Sequence, residues 1–211
     1  MAKVINGNII GNVGNLNYYM KNGVNMVRKR RTKNNKPSTG GQLVNQEKFK
    51  MANRFLNPLV EFVKTGYADV SRSKLTSPQN LMISRITKGA IFGVMPDLYL
   101  DFEKIKVCKG VLRAPWNAEV RLLDGELQFT WEVLNYGWPV ASERVMLLAY
   151  APECDEAIYN LAGAQHQDGK DVLKLDLSWK GLKIETYMAF RAENGLQVSD
   201  SVYTGSILFD L

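Results

Sequence analysis

Histidine and cysteine are scarce in this chain, and their scarcity excludes much of enzyme chemistry. His166 is the single histidine, so a Ser-His-Asp or Cys-His catalytic unit would depend entirely on it, and no His-x-x-x-His metal site can form. Cys108 and Cys154 are too few and too far apart for a disulfide-stabilised small fold. We therefore expect two reduced, partly buried thiols and an exposed turn residue at His166.

Long apolar runs and secretion signals are missing as well. No stretch of the sequence approaches the roughly 18 apolar residues that a membrane-spanning helix needs. Near the first residue, Asn6, Gly7 and Asn8 interrupt the apolar residues before the hydrophobic region of a signal peptide can form. We therefore expect synthesis in the cytoplasm without a cleavable signal or a membrane span. Incorporation into an assembled particle stays an alternative for the final location.

Motifs that hold phosphate or metal are not found either. The glycines of the Gly/Asn-rich stretch 1–15 are not followed by Gly-Lys-Ser/Thr, and no Gly-x-Gly-x-x-Gly is present. Glu153, Asp155 and Glu156 lack the register of an EF-hand, so we interpret them as part of a solvated loop. The sequence therefore predicts a protein that is not an enzyme and has no cofactor or metal site.

Charge is abundant and unevenly distributed. The formal net charge is +6. Residues 1–90 hold 16 Lys and Arg against 3 Asp and Glu, whereas residues 91–211 hold 11 against 18. Such asymmetry indicates an electrostatic partner for the basic half. Nucleic acid, an acidic protein surface and the acidic half of another copy all fit.

A β-hairpin is predicted close to the N-terminus. The runs 17–21 and 24–28 flank Asn22-Gly23, a pair that favours the type I′ turn because both central residues take positive φ. A two-residue turn pairs Tyr19 with Met26 and Tyr18 with Val27, which places apolar side chains on both faces. An isolated hairpin is marginal in water. We therefore expect one face to be covered by the following helix and the other by the β-rich half or by a partner.

The strongest candidate for function is the basic run that follows this hairpin. Its cationic side chains can neutralise phosphates, and adjacent tyrosines can stack on unpaired bases. A basic arm also docks on acidic protein, which we favour over nucleic acid. The candidate partner-binding residues are Tyr18, Tyr19, Arg28, Lys29, Arg30, Arg31 and Lys33.

Helical periodicity follows from about Gly40. One face of the predicted helix collects apolar residues at spacings of three and four, namely Phe49, Ala52, Leu56, Leu59 and Val63. Asn57-Pro58 interrupts the pattern as an N-cap followed by proline would, which predicts two helices or one kinked helix. Thr76-Ser77-Pro78 repeats that start signal and predicts a short helix to about Lys88.

From about residue 98 the texture changes to short β-type runs separated by turns such as Asp124-Gly125 and Asn194-Gly195. The predicted strands are Lys104–Leu112, Glu119–Leu123, Leu127–Leu134, Arg144–Pro152, Ala157–Ala162, Val172–Ser178, Lys183–Ala192 and Ser199–Phe209. The predicted fold class is α+β, with a basic N-terminal hairpin and helices followed by a mainly antiparallel Ig-like β-sandwich. The predicted domains are 1–36, the basic arm and hairpin; 37–97, a helical segment; and 98–211, the sandwich.

Two stretches of the β-rich half resemble a fibronectin type III or related immunoglobulin-like domain. Leu127-Gln128-Phe129-Thr130-Trp131 resembles a second strand that ends in the core tryptophan. Residues 185–195, from Glu185 to Gly195, are similar to the strand and turn Tyr-x-x-x-x-Ala-x-Asn-x-x-Gly, with a departure of a residue or two in spacing. The resemblance implies an autonomous sandwich with Trp131, Tyr187 and Ala189 in its core.

The whole chain also resembles an uncharacterised family of small bacterial proteins, typical of Bacteroidota, that contain a domain of unknown function. The matching residues are Gly11-Asn12-Val13-Gly14-Asn15, Tyr18, Gly23, Val27-Arg28, Pro37, Gln42-Leu43, Phe49, Phe55-Leu56 and Pro58-Leu59. The family joins a Gly-rich basic segment to a helix and a β-sandwich. The resemblance brings no known activity with it.

We therefore expect a non-enzymatic structural or assembly protein, such as a component of a virion, tail or filament-like particle. Its partner would be protein, either another copy of the chain or a larger assembly. The alternative is a nucleic-acid-binding protein that uses the basic segment 28–36.

Overall fold

A computed structural model describes residues 2–21, 23–31, 37–74, 76–133 and 139–210. The chain forms two compact units, Met1–Thr39 and Gly40–Leu211. Most of the helices and sheets belong to the second unit. The α+β fold class is confirmed.

The N-terminal unit is a four-stranded antiparallel meander. Its strands are β1 (Lys3–Ile5), β2 (Asn8–Val13), β3 (Leu16–Lys21) and β4 (Val24–Lys29), in that spatial order. The predicted hairpin register is confirmed, because Tyr18 pairs with Val27 and Tyr19 with Met26. Gly23 takes φ +79° in the turn, while Asn22 lies outside the described residues.

Strand β2 changes partner at its middle. Asn8–Ile10 pair with β1, and Gly11–Val13 pair with β3. Gly11 stands at the change with φ +114°, a backbone conformation that an L side chain rarely adopts. The Gly/Asn-rich stretch is therefore part of a sheet, and Gly11 marks its irregular point.

The helices begin close to the predicted starts, except for a seven-residue helix from Ala68 that was not predicted from the sequence. They are α1 (Gly40–Leu56), α2 (Val60–Gly66), α3 (Ala68–Lys74) and α4 (Pro78–Gly89), with a 3₁₀ turn at Asn57–Leu59 between the first two. Asn57-Pro58 thus separates two helices as predicted. Ser77 caps α4, since its side chain accepts a hydrogen bond from the Asn80 backbone N–H.

The predicted cover of the N-terminal hairpin by the first helix stays a prediction. Leu56 and Leu59 are buried in the core of the second unit. Phe49 is 55% exposed and belongs to no core, whereas Phe55 takes the buried aromatic position. Tertiary packing therefore selects a face of α1 rotated from the one that spacing alone indicated.

Seven strands of the second unit form two antiparallel sheets. A small pair, β5 (Ile91–Phe92) with β6 (Tyr99–Leu100), precedes them. The seven strands are β7 (Glu119–Leu123), β8 (Glu126–Thr130), β9 (Arg144–Ala151), β10 (Glu156–Asn160), β11 (Lys170–Lys174), β12 (Lys183–Arg191) and β13 (Val202–Leu208). The three-stranded sheet has the order β11-β8-β7, and the four-stranded sheet has the order β10-β9-β12-β13.

Both faces of the four-stranded sheet are buried. One face contributes Leu147 and Met188 to a core shared with the three-stranded sheet. The other contributes Leu148 and Tyr187 to a core shared with the helices. The unit therefore has three layers, helices, four-stranded sheet and three-stranded sheet, and the continuous apolar run of β9 from Val145 is the sequence signature of such a central strand.

One predicted strand does not form. Residues 104–112 contain the end of a 3₁₀ turn, Phe102–Lys104, followed by irregular chain. The backbone N–H groups of Val107 and Cys108 donate to the Ser201 hydroxyl at 2.9 and 3.3 Å, and Lys109 N–H donates to the Gly66 carbonyl at 2.9 Å. These backbone N–H groups already donate to the Ser201 hydroxyl and to the carbonyl of Gly66 at the end of α2, so they do not require the hydrogen bonds of a β-ladder.

The boundary predicted near residue 97 stays a prediction. The helices and the four-stranded sheet share one apolar core, in which Phe55 meets Tyr150 edge to face with ring centroids 4.7 Å apart. A fragment that starts at residue 98 would expose the helix-facing side of β9 and β12. The shared core therefore leads us to treat residues 40–210 as one folding unit.

Candidate interaction surface

No described residue of the N-terminal unit is buried. This holds over 2–21, 23–31 and 37–39, although the strands carry many large apolar side chains. Val4 is 72% exposed and Val27 is 54% exposed. A sheet in which no described residue is buried has no core of its own.

The register of β3 and β4 sorts these side chains onto two faces, because successive residues of a strand point to opposite sides and paired residues share a side. One side is mainly apolar, with Asn25 and Lys29 as its polar members. We call it the apolar face; its other members from the second half of β2 onward are Val13, Leu16, Tyr18, Met20 and Val27.

The opposite side, which we call the mixed face, combines apolar, amide and cationic groups. Its members are Asn12, Asn17, Tyr19, Lys21, Val24, Met26 and Arg28. Two contacts confirm this grouping: the Arg28 guanidinium lies over the Tyr19 ring at 5.5 Å, and the Asn17 side-chain Nδ2 donates to the Asn12 side-chain Oδ1 at 2.6 Å. Apolar residues thus occur on both faces, as the hairpin pattern predicted.

The candidate partner-binding residues do not form one patch. Tyr18 and Lys29 share the apolar face, whereas Tyr19 and Arg28 share the mixed face. Arg30 and Arg31 follow β4 as exposed residues, with the Arg30 N–H bonded to the Asn15 carbonyl at 2.6 Å. Lys33 lies outside the described residues. The alternation of a β-strand therefore divides a contiguous basic sequence between two surfaces.

Charge sets this unit apart as clearly as exposure does. Residues 1–39 contain eight Lys and Arg and no Asp or Glu, while residues 40–211 contain 19 against 21. The positive potential of the N-terminal unit therefore has no internal compensation. It favours a surface that carries negative charge.

His166 was predicted to be an exposed turn residue, and the exposure is wrong. It begins a 3₁₀ turn, but only 5% of it is exposed, and its ring centroid lies 4.7 Å from that of Phe190. Burial lowers the pKa of His166, because desolvation penalises the charged imidazolium. The backbone carbonyl of His166 accepts a hydrogen bond from Trp131 Nε1 at 2.8 Å. The residue is thus a packed core histidine.

Glu153 and Glu156 are exposed, as the interpretation of these acids as a solvated segment predicted, and the acidic side chains also make specific contacts. The Arg54 Nε of α1 lies 2.6 Å from an Asp155 carboxylate oxygen, and the Tyr150 hydroxyl donates to Asp155 at 3.1 Å. Glu156 accepts a hydrogen bond from Trp179 Nε1 at 2.8 Å. These carboxylates tie α1 and a 3₁₀ turn to the four-stranded sheet, a role that spacing in the sequence did not reveal.

The two thiols have different environments. Cys108 is buried, and burial raises its pKa far above the ordinary thiol value, while Cys154 is exposed. Within the described ranges, no three His, Cys, Asp or Glu side chains are grouped to hold a metal ion. Among those same residues, no helix is both long and apolar enough to cross a membrane.

An uncovered, basic N-terminal sheet and a three-layer α+β unit together define the class of protein. The chain belongs to a family of unknown function, DUF6266, whose model matches residues 7–205. The match spans both units, so their combination is a property of the family. No curated protein matches the chain.

Proposed function

We propose that this chain is a non-enzymatic assembly protein that associates with other copies of itself through the N-terminal sheet. The observation that carries the proposal is the absence of any buried residue in the described part of that sheet, despite its apolar face. Burial of apolar surface stabilises an interface by about 25 cal/mol per Å². A second copy is the simplest cover, because it brings both an identical face and an acidic β-rich half.

The distribution of charge also supports a second copy of the chain as the partner of the N-terminal sheet. Residues 91–211 hold 18 Asp and Glu against 11 Lys and Arg, and residues 1–39 hold none of the former. Opposite charges steer and orient contacts between a basic sheet and an acidic unit of the next copy. Head-to-tail contacts of this type build rings or filaments. A component of a virion, tail or filament-like particle therefore fits, as does synthesis in the cytoplasm before assembly.

As part of this proposal, we infer that the β-rich half is related to fibronectin type III-like domains, and the fold supports this inference. The strand orders of the three- and four-stranded sheets, with β12 between β9 and β13, support a relationship to the fibronectin type III-like sandwich. Trp131, which follows β8, is buried in the core between the two sheets. Tyr187 and Ala189, which the resemblance implied for the same core, instead belong to the core shared with the helices. Domains of this architecture are common in interaction proteins. The bacterial, Bacteroidota-type origin belongs to the proposal as well.

Light scattering tests the association directly. We expect the full chain to form oligomers and the fragment 40–211, which retains both cores, to be a monomer. Leu16→Thr with Val27→Thr should weaken the oligomer, because both changes remove apolar contact area while keeping the strand register. Asn12→Thr with Asn17→Thr, on the mixed face of the same strands, is the matched control and should leave the mass unchanged.

A salt series separates the apolar and electrostatic contributions. An interface that depends on Arg28–Arg31 should weaken from low to physiological ionic strength, since the Debye length falls to about 8 Å at 0.15 M. A purely apolar one should not. A full chain that is monomeric at every salt concentration would overturn the proposal.

Nucleic-acid binding is the second candidate, and the Arg28 guanidinium over the Tyr19 ring is the observation that favours it. Single-stranded and duplex oligonucleotides, titrated against the full chain, test this function. It would be supported if a monomeric full chain bound them in a salt-sensitive way and if changing Arg28, Lys29, Arg30 and Arg31 to Gln abolished that binding.

A further inference from the structure

A second concentration of positive charge lies in the three-layer unit, at a cavity of about 480 Å³. Helices α3 and α4 and the chain after the 3₁₀ turn 102–104 form its walls. The described lining carries five cationic side chains and no carboxylate: Lys74, Arg85, Lys88, Lys104 and Lys106. All five residues are exposed. They converge from positions spread over the sequence, so the cluster exists only in the folded chain.

Most of this charge is not neutralised nearby. Lys104 lies 3.2 Å from Asp101. Among the described residues, no carboxylate is within ion-pair distance of Lys74, Arg85 or Lys88. The C-terminal end of α4 contributes about half a negative charge, which is far less than the charge of Lys74, Arg85 and Lys88 together. Bringing like charges together costs free energy, and a bound anion removes that cost.

One buried tyrosine holds two sides of the cavity in place. Tyr67 is fully buried, and its hydroxyl donates to the Lys106 carbonyl at 2.5 Å. The Arg85 guanidinium lies over the same ring at 5.9 Å. Lys106 is fixed further by its Nζ, which donates to the Ser201 carbonyl at 3.0 Å. Arg85 and Lys106 are therefore held at defined positions on two sides of the cavity.

The remaining lining and the size of the cavity indicate the ligand class. Half-buried Leu81 provides the accessible apolar surface, and Ser84 provides a hydroxyl, while Ile86 and Ile105 lie behind them as buried residues. Pockets of about 300–1,000 Å³ are typical of small-molecule sites. Guanidinium and ammonium groups recognise phosphate through charge-assisted hydrogen bonds. An organic body with more than one phosphate group satisfies the apolar wall and the cations together.

We propose that the cavity between α3, α4 and residues 104–106 binds a small organic molecule that carries two or more phosphate groups. This site lies within the second unit and is independent of the association surface proposed for the N-terminal sheet.

Isothermal titration of the full chain with pyrophosphate and with ATP, in low-salt buffer without divalent cations, tests the proposal. We expect saturable binding with one site per chain, and tighter binding of ATP because it adds the organic body. Arg85→Gln with Lys88→Gln should weaken both ligands at least tenfold. Both residues are exposed, so circular dichroism should be unchanged, and loss of the Arg85 contact with the Tyr67 ring should lower the thermal midpoint only slightly.

Two controls make the result specific. Lys170→Gln with Lys180→Gln removes the same charge elsewhere in the unit and should change affinity less than twofold. Changing Arg28, Lys29, Arg30 and Arg31 to Gln should also leave binding intact. Absence of saturable binding, or equal weakening by the first control pair, would overturn the site. Loss of binding on changing the N-terminal run, or binding of an oligonucleotide without pyrophosphate or ATP, would overturn it in favour of a polyanion.

Discussion

The N-terminal sheet and the three-layer unit are both rich in apolar side chains, yet they use them in opposite ways. In the second unit, residues of β9 and β12 are buried on both faces. In the first, no described residue is buried. A four-stranded meander of short strands has one layer only, so its side chains have nothing within the unit to pack against. Apolar content by itself therefore does not make a core; a second layer does.

The largest expected effect comes from the core between the two sheets. Trp131 is 5% exposed and donates its indole N–H to the His166 carbonyl, whereas Trp116 is 60% exposed. Trp131→Ala should lower the free energy of unfolding by about 3–5 kcal/mol. Trp116→Ala should change it by less than about 0.5 kcal/mol. Urea denaturation followed by circular dichroism measures both, and equal losses would contradict the assigned core.

The second prediction concerns the core between the helices and the sheet, with two phenylalanines of the same helix. Phe55 is 1% exposed and contacts Tyr150, while Phe49 is 55% exposed. Phe55→Ala should cost about 3–5 kcal/mol, and Phe49→Ala should be close to neutral. Because the core is shared, the whole second unit should lose stability in one transition. An early helical transition that leaves the sheets folded would instead support a boundary near residue 97.

A third, smaller effect separates the two units by pH. Residues 1–39 contain no His, Asp or Glu. Burial lowers the pKa of His166 in the folded protein. Below about pH 6.5 this histidine therefore binds protons more readily in the unfolded chain than in the folded protein. Its contribution to stability is present above that pH and is lost as the pH falls towards the folded-state value. Glu143, whose pKa burial raises, opposes this trend at lower pH.

Thermal unfolding from pH 7.5 to 5.5 measures this effect. The full chain and the fragment 40–211 should lose stability equally, and His166→Phe should flatten the profile. A decline that occurs only in the full chain would place the pH dependence outside the three-layer unit.

The smallest expected effect is at the surface contact between α1 and the four-stranded sheet. The Arg54 and Asp155 side chains are 62% and 34% exposed, and exposed pairs of this kind contribute about 0.2–1 kcal/mol. Arg54→Ala should therefore cost less than about 1 kcal/mol in denaturant titration. Lys50→Ala, which removes the exposed pair with Glu47 in the same helix, is the control and should be neutral. A cost comparable to Phe55→Ala would show that the ion pair, and not the apolar core, holds the helix.

Local chemistry accounts for the parts of the fold that the sequence predicted well. The turn preference of Asn-Gly set the Tyr18–Val27 register, and Ser77-Pro78 set the start of α4, because both depend on nearest neighbours only. Strand positions from Glu119 onward followed from apolar runs between turn residues. The strand predicted at residues 104–112 is wrong, because the groups that bind this backbone, the Ser201 hydroxyl and the Gly66 carbonyl, are remote in sequence.

The candidate sites show the same limit. The basic run 28–33 could be found in the sequence because its charges are adjacent. The sheet nevertheless places Arg28 and Tyr19 on one face and Lys29 and Tyr18 on the other. The cavity that contains Arg85 and Lys106 was invisible because its cations are spread over three elements. Arg54 and Asp155 are 101 residues apart, and no pattern connected them.

The sequence alone determined the α+β class, the hairpin register, most of the helix starts and the uneven charge of the two parts, since these depend on composition and on neighbouring residues. The tertiary structure decided which face of α1 is buried, that the helices share a core with the four-stranded sheet, that His166 is packed against Phe190, and that no described residue of the N-terminal sheet is buried. The reason is physical. Burial is a relation between segments distant along the chain, and local preferences place each segment without specifying what will cover it.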